Sequence, residues 1–390
     1  MNRSVKKIMN VFSPKMKDNS KPKTKIMLYG YFGNNFGDDL VFDMLLKRYP
    51  DTLFYVLFTA DYEKYFEKYN NVRYYSYERP MVAKINKFGK AFGNDMFFEK
   101  ILIKICDAAV HIGGSVYQQI GDWEKDLEIR EKRSSWAKHF FGISNNFGAF
   151  YSNCYLDFWL NDFRKFTNVT FRAKYSYNLF KHLKNVSYAP DLVFGCKMPD
   201  IKQKEKTVAV SVINPFIRNI NDNAKNSYIN AVTDLVEELC SNGFYVKILS
   251  FCILEKDDEV LEIIYDKISE KNKQNVAKVP YSCDFNDAYN IIAESEYVVG
   301  TRFHASVLGY TFNKKVLPIC YNDKVKSMLL DIGQNDFIDL DNIGSFSGKD
   351  LYNKLISKPV VDIDIIKEKS KLQFEALDNY ISKRRGKIIK

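Results

Sequence analysis

Arg302 and His304 are the residues of this chain whose types and spacing are best suited to chemistry. They follow the short apolar run YVVG (297–300) within the stretch GTRFHAS, where we expect a strand to end and a helix to begin. An arginine fork binds phosphate or carboxylate in two places, a helix N-terminus favours anions, and a histidine can move a proton near neutral pH. Thr301 could cap the helix, and Phe303 lies between the two candidates. The alternative is that Arg302 pairs with a surface carboxylate and that His304 is an ordinary core histidine.

The glycine-rich stretch GYFGNNFGDD (30–39) is a second candidate. Its glycines allow a close approach between the backbone and a ligand. Asp38 and Asp39 would repel an anion but suit sugar hydroxyls or proton transfer, and Asn34 and Asn35 lie beside them. The spacing is not G-x-G-x-x-G, so a dinucleotide site is not indicated. Asp38 or Asp39 could instead cap the following helix.

The stretch HIGGSVYQQ (111–119) is the third candidate, because it follows an apolar strand. Its backbone amides and polar side chains could bind an acceptor, although a simple tight turn before a helix would have the same sequence. His111 is more typical of a core histidine than of a base. The acceptor-binding candidates here are Gly113, Gly114, Ser115 and Gln118.

Composition restricts the class of protein. The chain has 390 residues, of which 46% are hydrophobic and 15% aromatic, which is enough for two domains with sizeable cores. No apolar run approaches the roughly 18 residues of a membrane span, and we see no secretory signal. The seven cysteines are scattered without a C-x-x-C pair, as expected for free thiols in a reducing cytoplasm and not for a zinc site.

The net charge of +10 is concentrated at the two ends of the chain. Residues 1–25 carry +7 and residues 383–390 carry +5, which leaves −2 for the rest. A neutral body argues against a nucleic-acid groove, whereas basic tails suit the anionic inner face of the cytoplasmic membrane. We therefore expect a cytoplasmic protein that associates peripherally with this membrane. The alternative is that both tails are solvated, disordered ends.

Apolar strands alternate with helical segments along the chain, which predicts parallel sheets of βαβ units. The pattern is interrupted by the lysine-rich bridge at 200–206 and then restarts. We expect a basic tail (1–24), an N-terminal Rossmann-like acceptor-side domain (25–199), a C-terminal Rossmann-like donor-side domain (207–345), and a long helix with a basic tail (346–390). This is a GT-B-like architecture, in which two parallel sheets face a cleft that is the expected ligand site.

These stretches resemble the polysaccharide pyruvyl transferase family. The matching pieces run in the family's order from about residue 26 to residue 340, and include HIGGSVYQ, FFGISNNFGAF, VTFRAKYSYNLF, YAPDLVFG and the long block around GTRFHASVLGY. Two departures are Ser115, where the family often has a third glycine, and Ala149, near where it often has proline. The departures affect fine geometry and acceptor choice more than the donor site.

The resemblance implies an enzyme that uses phosphoenolpyruvate as co-substrate, with no cofactor and no metal. It would form a pyruvate ketal on two hydroxyls of one hexose in a capsular or exopolysaccharide precursor and release phosphate. The basic tails favour a lipid-linked form of this acceptor at the inner membrane face. Catalytic roles would then fall to His304 and Asp38. Phosphoenolpyruvate would be bound by Arg302, Arg172, Thr301 and Phe303, and the acceptor by Asn34, Asn35, Asp39 and the residues of 113–118 named above.

Three alternatives stay open on the sequence alone. Arg172 could be a surface arginine at the start of a helix. The chain could be a GT-B glycosyltransferase that uses a nucleotide sugar, or a non-catalytic scaffold for envelope polysaccharide assembly. The acceptor sugar, its hydroxyl pair and the oligomeric state have no signature in the sequence.

Overall fold

The computed structural model of the chain describes residues 17, 20–59, 62–218 and 220–388, with side chains through residue 384. The chain divides into two compact units. Unit 1 comprises the described residues up to Phe32, then Val41–Pro190, and those from Lys371 onward; unit 2 comprises Gly33–Leu40 and Asp191–Ser370. The predicted basic tails lie partly outside the described residues.

Unit 1 is built on a seven-stranded parallel sheet in the order β3-β2-β1-β4-β5-β6-β7. The run TLFYVLF forms β2 and is buried at every position, as expected when helices cover both faces of a parallel sheet. The strands are β1 Thr24–Tyr29, β2 Thr52–Phe58, β3 Val72–Ser76, β4 Ala108–Ile112, β5 Phe140–Asn145, β6 Asn168–Phe171 and β7 Val186–Tyr188.

Seven helices begin between residues 36 and 174, and the first of them crosses from unit 2 into unit 1. They are α1 Phe36–Arg48, α2 Glu63–Glu67, α3 Pro80–Lys90, α4 Phe97–Ile105, α5 Trp123–Trp136, α6 Asn153–Phe163 and α7 Lys174–Phe180.

Unit 2 contains a six-stranded parallel sheet in the order β10-β9-β8-β11-β12-β13. The strands are β8 Thr207–Ser211, β9 Tyr245–Leu249, β10 Val276–Val279, β11 Tyr297–Gly300, β12 Lys315–Cys320 and β13 Ile338–Asp339. The helices are α8 Asp222–Ser241, α9 Asp257–Lys267, α10 Glu270–Lys273, α11 Asn286–Glu294, α12 Phe303–Thr311, α13 Asp323–Asp331, α14 Gly348–Ile356 and α15 Asp364–Ser370, with 3-10 turns at Leu192–Gly195 and Leu340–Ser345.

The end of the chain returns to unit 1. The predicted long helix is divided into α15, a 3-10 turn at Lys371–Phe374 and the last helix, α16 (Glu375–Ile388). The division is at the buried Gln373. Its side-chain nitrogen donates to the carbonyl of Ala189 (2.6 Å), and its side-chain oxygen accepts from the backbone amide of Ser144 (2.8 Å). Residues 346–390 therefore do not form one C-terminal element.

Helix α16 is fixed to unit 1 by polar contacts. Arg48 pairs with Asp378 at 2.6 Å, and Arg384 pairs with Asp107 at 2.8 Å. Arg384, which belongs to the predicted basic C-terminal tail, is thus paired with a carboxylate of unit 1. The change between the two units lies at Pro190–Asp191, before the predicted bridge at 200–206.

Both sheets have the strand order of doubly wound folds. In each, the chain proceeds outward from a central strand, returns and proceeds the other way, so the order reverses between β1 and β4 in unit 1 and between β8 and β11 in unit 2. Ligands of open parallel sheets bind outside the carboxyl ends of the strands at such a reversal. The segments after β1, β4, β8 and β11 are therefore the expected ligand-binding segments.

Lys314, at the turn before β12, is 1% exposed, and its ammonium donates to the side-chain oxygen of Gln203 at 2.8 Å. Burial lowers the pKa of Lys314 from 10.5 to about 8. Between these two values the unfolded chain binds the proton and the folded chain does not, so folding stability rises with pH across this window. Below pH 8 the charged lysine carries its full cost of burial.

We expect Lys314→Met to stabilise the protein at pH 7, and we expect this gain to shrink as the pH rises from 8 to 10.5. Urea unfolding of both proteins across that range measures it. The control is Lys271→Met at an exposed lysine, which should leave the pH dependence unchanged. A Lys314→Met gain that stays constant up to pH 10.5 would show that the burial of charge is not its cause.

Candidate functional site

The turn between β11 and α12 lies at the strand reversal of unit 2. The side-chain oxygen of Ser211, the last residue of β8, accepts hydrogen bonds from the backbone amides of Thr301 (3.0 Å) and Arg302 (3.2 Å). Arg302 is the N-cap residue of α12 and makes no side-chain cap. The expected cap by Thr301 is absent, because its hydroxyl accepts from Tyr228 (3.2 Å) instead.

The guanidinium of Arg302 is buried and bound by two carboxylates. Its Nε donates to Asp257 Oδ2 at 2.7 Å, its Nη2 donates to Asp257 Oδ1, and its Nη1 lies 2.5 Å from Glu255 Oε2. Asp257 is fully buried and also accepts from three backbone amides, those of Asn214, Phe251 and Cys252. Arg302 and Asp257 therefore fasten together the loops that follow β8, β9 and β11.

The electrostatics of this cluster favour its charged state. Burial alone would lower the pKa of Arg302, but the ion pairs with Asp257 and Glu255 outweigh burial and raise it. Burial alone would likewise raise the pKa of Glu255, but Arg302 and Arg218 lower it. Burial raises the pKa of Asp257, and the Arg302 guanidinium opposes that rise. Two guanidinium groups thus converge on Glu255 Oε2, an oxygen of a side chain that is 30% exposed.

His304 lies in the first turn of α12, with its imidazole between two backbone segments of unit 2. A β-carbon at Gly37 would be 1.8 Å from His304 Nδ1, so only glycine permits this contact. On the other side, His304 Nε2 is 3.9 Å from Asp191 Oδ2, and the two side chains are 11% and 1% exposed. Asp191 is itself held by the amide of Val193, which donates to Oδ1 at 2.8 Å. The result is a histidine oriented beside a buried carboxylate.

The segment 33–40 belongs to unit 2 because it is bonded to the loop after β9. The amide of Phe36 donates to the carbonyl of Phe251 at 2.8 Å, and the two rings are 4.3 Å apart. Asn34 has a left-handed φ of 48°, and its carbonyl accepts from Ile253 at 3.2 Å. The glycine-rich motif is therefore assembled with the Arg302–His304 turn.

The polar residues of this segment divide into different environments. Asn35 caps α1, since its side-chain oxygen accepts from the amide of Gly37 at 2.9 Å, and neither aspartate takes that position. Asp39 is fully buried and accepts a hydrogen bond from the hydroxyl of Tyr281. Burial and this carboxylate raise the pKa of Tyr281. Asp38 is half-buried in the same turn.

The candidates of unit 1 lie at the carboxyl ends of β4, β5 and β6. A β-carbon at Gly114 would be 2.5 Å from Arg172 Nη2, so the buried guanidinium lies directly on that glycine. The side-chain amide of Asn145 donates to the carbonyl of Gly113 at 2.7 Å, and the backbone amide of Asn146 donates to Gly114 at 2.8 Å. Arg172 is thus a buried arginine within a polar loop cluster and not a surface residue.

Two further candidates in unit 1, Ser115 and Gln118, are half-buried in the loop after β4. That loop is held by the neighbouring Gln119, whose side-chain oxygen accepts from the amides of Tyr151 (2.9 Å) and Ser152 (3.0 Å). His111 is buried beside Tyr117, and burial together with Arg130 and Arg133 keeps its pKa well below 6.5. This environment is that of a neutral core histidine.

The structure groups the predicted residues differently from the sequence. Unit 2 contains the predicted phosphoenolpyruvate residues Thr301, Arg302 and Phe303, the catalytic candidates His304 and Asp38, and three residues predicted for the acceptor, Asn34, Asn35 and Asp39. Unit 1 contains Arg172, Gly113, Gly114, Ser115 and Gln118. The sequence places Gly33–Leu40 in the N-terminal acceptor-side domain, whereas in the structure this segment belongs to unit 2.

Five residues of the unit 2 site are absent from the sequence-based prediction. They are Asp191, Ser211, Arg218, Glu255 and Asp257. Asp191 has a signal, because it ends the stretch YAPD that matches the family block. Ser211 ends β8, Arg218 and Glu255 lie in the loops after β8 and β9, and Asp257 begins α9, so none of these four has a distinctive local pattern.

Neither a metal cluster nor a membrane span is found in the described part of the chain. Among these residues, no three His, Cys, Asp or Glu side chains are grouped so that they could hold a metal ion. None of the described helices is both long and apolar enough to cross a bilayer.

Because Arg302 satisfies a buried carboxylate, we expect Arg302→Lys to reduce the free energy of unfolding by about 3 kcal/mol, since lysine cannot replace the bidentate fork. Urea denaturation measures the change. Arg218→Lys, at the more exposed guanidinium that also pairs with Glu255, is the matched control and should cost less than about 1 kcal/mol. Equal losses for the two variants would contradict a special structural role for Arg302.

Solved structures of other proteins are similar to this chain in fold. The UDP-GlcNAc 2-epimerase of Methanocaldococcus jannaschii aligns with a TM-score of 0.57 at 9% identity, over 91% of this chain and 99% of that one. The UDP-GlcNAc 2-epimerase of Neisseria meningitidis, bound to UDP-GlcNAc, gives 0.55 at 11% identity, with coverages of 91% and 99%. HepE of Anabaena, in complex with UDP, gives 0.51 at 12% identity, with coverages of 94% and 98%. These likenesses confirm the predicted GT-B-like fold of two Rossmann-like halves.

No curated protein matches the chain significantly. The family described as polysaccharide pyruvyl transferase, in contrast, matches residues 35–323, which is most of the chain. The match begins at the Asn35 cap and extends through Asp191, Asp257 and the Arg302–His304 turn. The chain belongs to the polysaccharide pyruvyl transferase family.

Proposed function

We propose that this chain transfers the pyruvyl group of phosphoenolpyruvate to two hydroxyls of one hexose in a lipid-linked capsular or exopolysaccharide precursor, forming a cyclic ketal and releasing phosphate. Family membership supports pyruvyl transfer on polysaccharide. The observation that carries the finer proposal is the His304–Asp191 pair. A histidine held between a glycine and a buried carboxylate is prepared to move a proton, which this reaction requires.

Arg218 is the cation of unit 2 that we propose for the anionic donor, since Arg302 is already paired with Asp257. Arg302 and Arg218 both bond Glu255 Oε2, so two positive charges already surround one partly exposed oxygen. Phosphate oxygens accept hydrogen bonds from a guanidinium as this carboxylate oxygen does, so they would compete with it for Arg218. The N-terminus of α12 adds a positive dipole in the same loops. In this proposal Arg302 is a positioning residue, because its fork is bound to Asp257.

His304 donates a proton to the methylene carbon of phosphoenolpyruvate, and positive charge develops on the carbon that bears the phosphate. A sugar hydroxyl attacks that carbon, the carbon–oxygen bond to phosphate breaks, and a second hydroxyl of the same sugar closes the ketal. The two sugar hydroxyls release two protons. One restores the proton that His304 gave to the methylene carbon, and the other leaves with phosphate.

Asp38 is the proposed base for the acceptor hydroxyl, since it is half-buried in the first turn of α1, next to the residue that contacts His304. Asp39 is less suited, because it is fully buried and bonded to Tyr281. Asn34 and Asn35 are kept as acceptor candidates. In unit 1, Arg172 is proposed as a cation for the donor, and Gly113, Gly114, Ser115 and Gln118 for the acceptor.

We expect His304→Ala to reduce phosphate release from phosphoenolpyruvate by about a hundredfold or more, because the proton donor is lost. The assay supplies lipid-linked oligosaccharides extracted from the cells that encode the chain. His182→Ala, at an exposed histidine, is the matched control and should retain activity. A near-normal rate in His304→Ala would exclude this role.

Asp191→Asn tests the positioning role separately. Asparagine keeps an oxygen for the Val193 amide but removes the charge beside His304, so kcat should fall while the KM for phosphoenolpyruvate and the melting temperature stay nearly constant. Asp191→Glu should restore part of the lost rate. If the melting temperature of Asp191→Asn fell enough to explain the lost activity, Asp191 would have a structural role and not a positioning role.

A further inference from the structure

An exposed aromatic pair lies at the tip of a helical hairpin in unit 1. The hairpin is formed by α3 and α4, and Phe88 and Phe92 lie at the end of its first helix and in its connecting loop. Their side chains are 60% and 74% exposed, and their ring centres are 5.2 Å apart. Single exposed aromatic residues are common, but a contiguous exposed apolar patch such as this pair marks an interaction site.

The hairpin holds this pair in place. A β-carbon at Gly89 would be 2.1 Å from the β-carbon of Phe97, so α3 and α4 are in close contact at that glycine. The amide of Asn94 donates to the carbonyl of Gly89 at 3.0 Å, and Gly93 adopts a left-handed φ of 75° that turns the chain. Val82 is fully buried on the inner side of α3. The outer side, with Phe88, is therefore directed away from the core of unit 1.

The same surface is basic. Lys84, Lys87 and Lys90 are exposed, and the sequence from Arg79 to Asn94 contains no aspartate or glutamate. Met81, Lys84 and Phe88 follow one another at helical spacing along one face of α3, and Met81 is 41% exposed. Lysines with long apolar stems beside aromatic rings suit a boundary between an apolar and an aqueous phase. We call Met81, Lys84, Lys87, Phe88, Lys90 and Phe92 the hairpin surface.

We propose that the hairpin surface docks the protein on an anionic lipid bilayer, with Phe88 and Phe92 inserted and the three lysines at the headgroups. The partner follows from charge complementarity, since each lysine near an anionic surface adds attraction and the rings add apolar burial. A second copy of the chain fits less well, because a two-fold interface would bring the three lysines of one copy against those of the other. This proposal deepens the proposed function, and it rests on that function where it assumes a lipid-linked acceptor.

Co-sedimentation of the full chain with vesicles, without phosphoenolpyruvate, tests the docking. Vesicles of phosphatidylcholine plus phosphatidylglycerol should bind the protein, and vesicles of phosphatidylcholine alone should bind it weakly. The double variant Phe88→Ser/Phe92→Ser should weaken binding to the anionic vesicles about tenfold or more. Lys84→Gln/Lys87→Gln/Lys90→Gln should weaken it and reduce its dependence on salt.

Tyr151→Ser is the matched control, because Tyr151 is a 75% exposed aromatic residue of unit 1 outside the hairpin surface, and it should bind as the native protein does. Native-like binding by the Phe88/Phe92 variant would overturn the proposal and leave other parts of the chain as the membrane contact. Equal binding of the native chain to both vesicles, or none to either, would also overturn it. So would a native dimer, seen by sedimentation velocity without lipid, that the Phe88/Phe92 variant abolishes.

The result is separable from the proposed function. In detergent, where no bilayer is present, the Phe88/Phe92 variant should release phosphate from phosphoenolpyruvate at the native rate with extracted lipid-linked oligosaccharide. A native chain that binds anionic vesicles but never consumes phosphoenolpyruvate would retain the docking and refute the reaction. A variant that loses activity in detergent would contradict a role restricted to docking.

Discussion

The bidentate pair of Arg302 and Asp257 is the interaction on which the unit 2 site depends. Asp257 is fully buried, and a buried carboxylate is tolerated only where charge and hydrogen bonds compensate it. Arg302 and three backbone amides provide that compensation, and they come from the loops after β8, β9 and β11. The position of α12, and therefore of His304, follows from this arrangement.

The second constraint is the absence of a side chain at Gly37. The segment Gly33–Leu40 lies in unit 2, fastened by Phe36 to Phe251 and by Asp39 to Tyr281. That attachment brings the backbone of α1 against His304, where a β-carbon would overlap the imidazole. The motif near the start of the chain and the turn near residue 302 thus form one site, in which the imidazole is directed toward Asp191.

Much of the fold could be predicted from the sequence, because apolar strands buried on both faces and alternating with helices have few solutions. The run YVVG at 297–300 forms strand β11, and helix α12 begins three residues after it, as the sequence predicts. Strand β3 has no clear signal in the sequence, since Val72–Ser76 is only partly buried and carries an arginine. The site was predicted in part: periodicity and glycines indicate where His304 and Gly37 lie, but the partners of Arg302 depend on tertiary contacts. No local pattern distinguishes an arginine that will bind a substrate from one that will neutralise a buried aspartate.

The most direct test of the account is thermal stabilisation of the full chain by phosphoenolpyruvate, beside UDP and GDP, in the native protein and in Arg218→Gln. We expect phosphoenolpyruvate to raise the melting temperature and the nucleotides not to do so. Arg218→Gln should lose most of the effect, because one of the two guanidinium groups around Glu255 is gone. Stabilisation by a nucleotide and none by phosphoenolpyruvate would contradict the account and favour a glycosyltransferase that uses a nucleotide sugar.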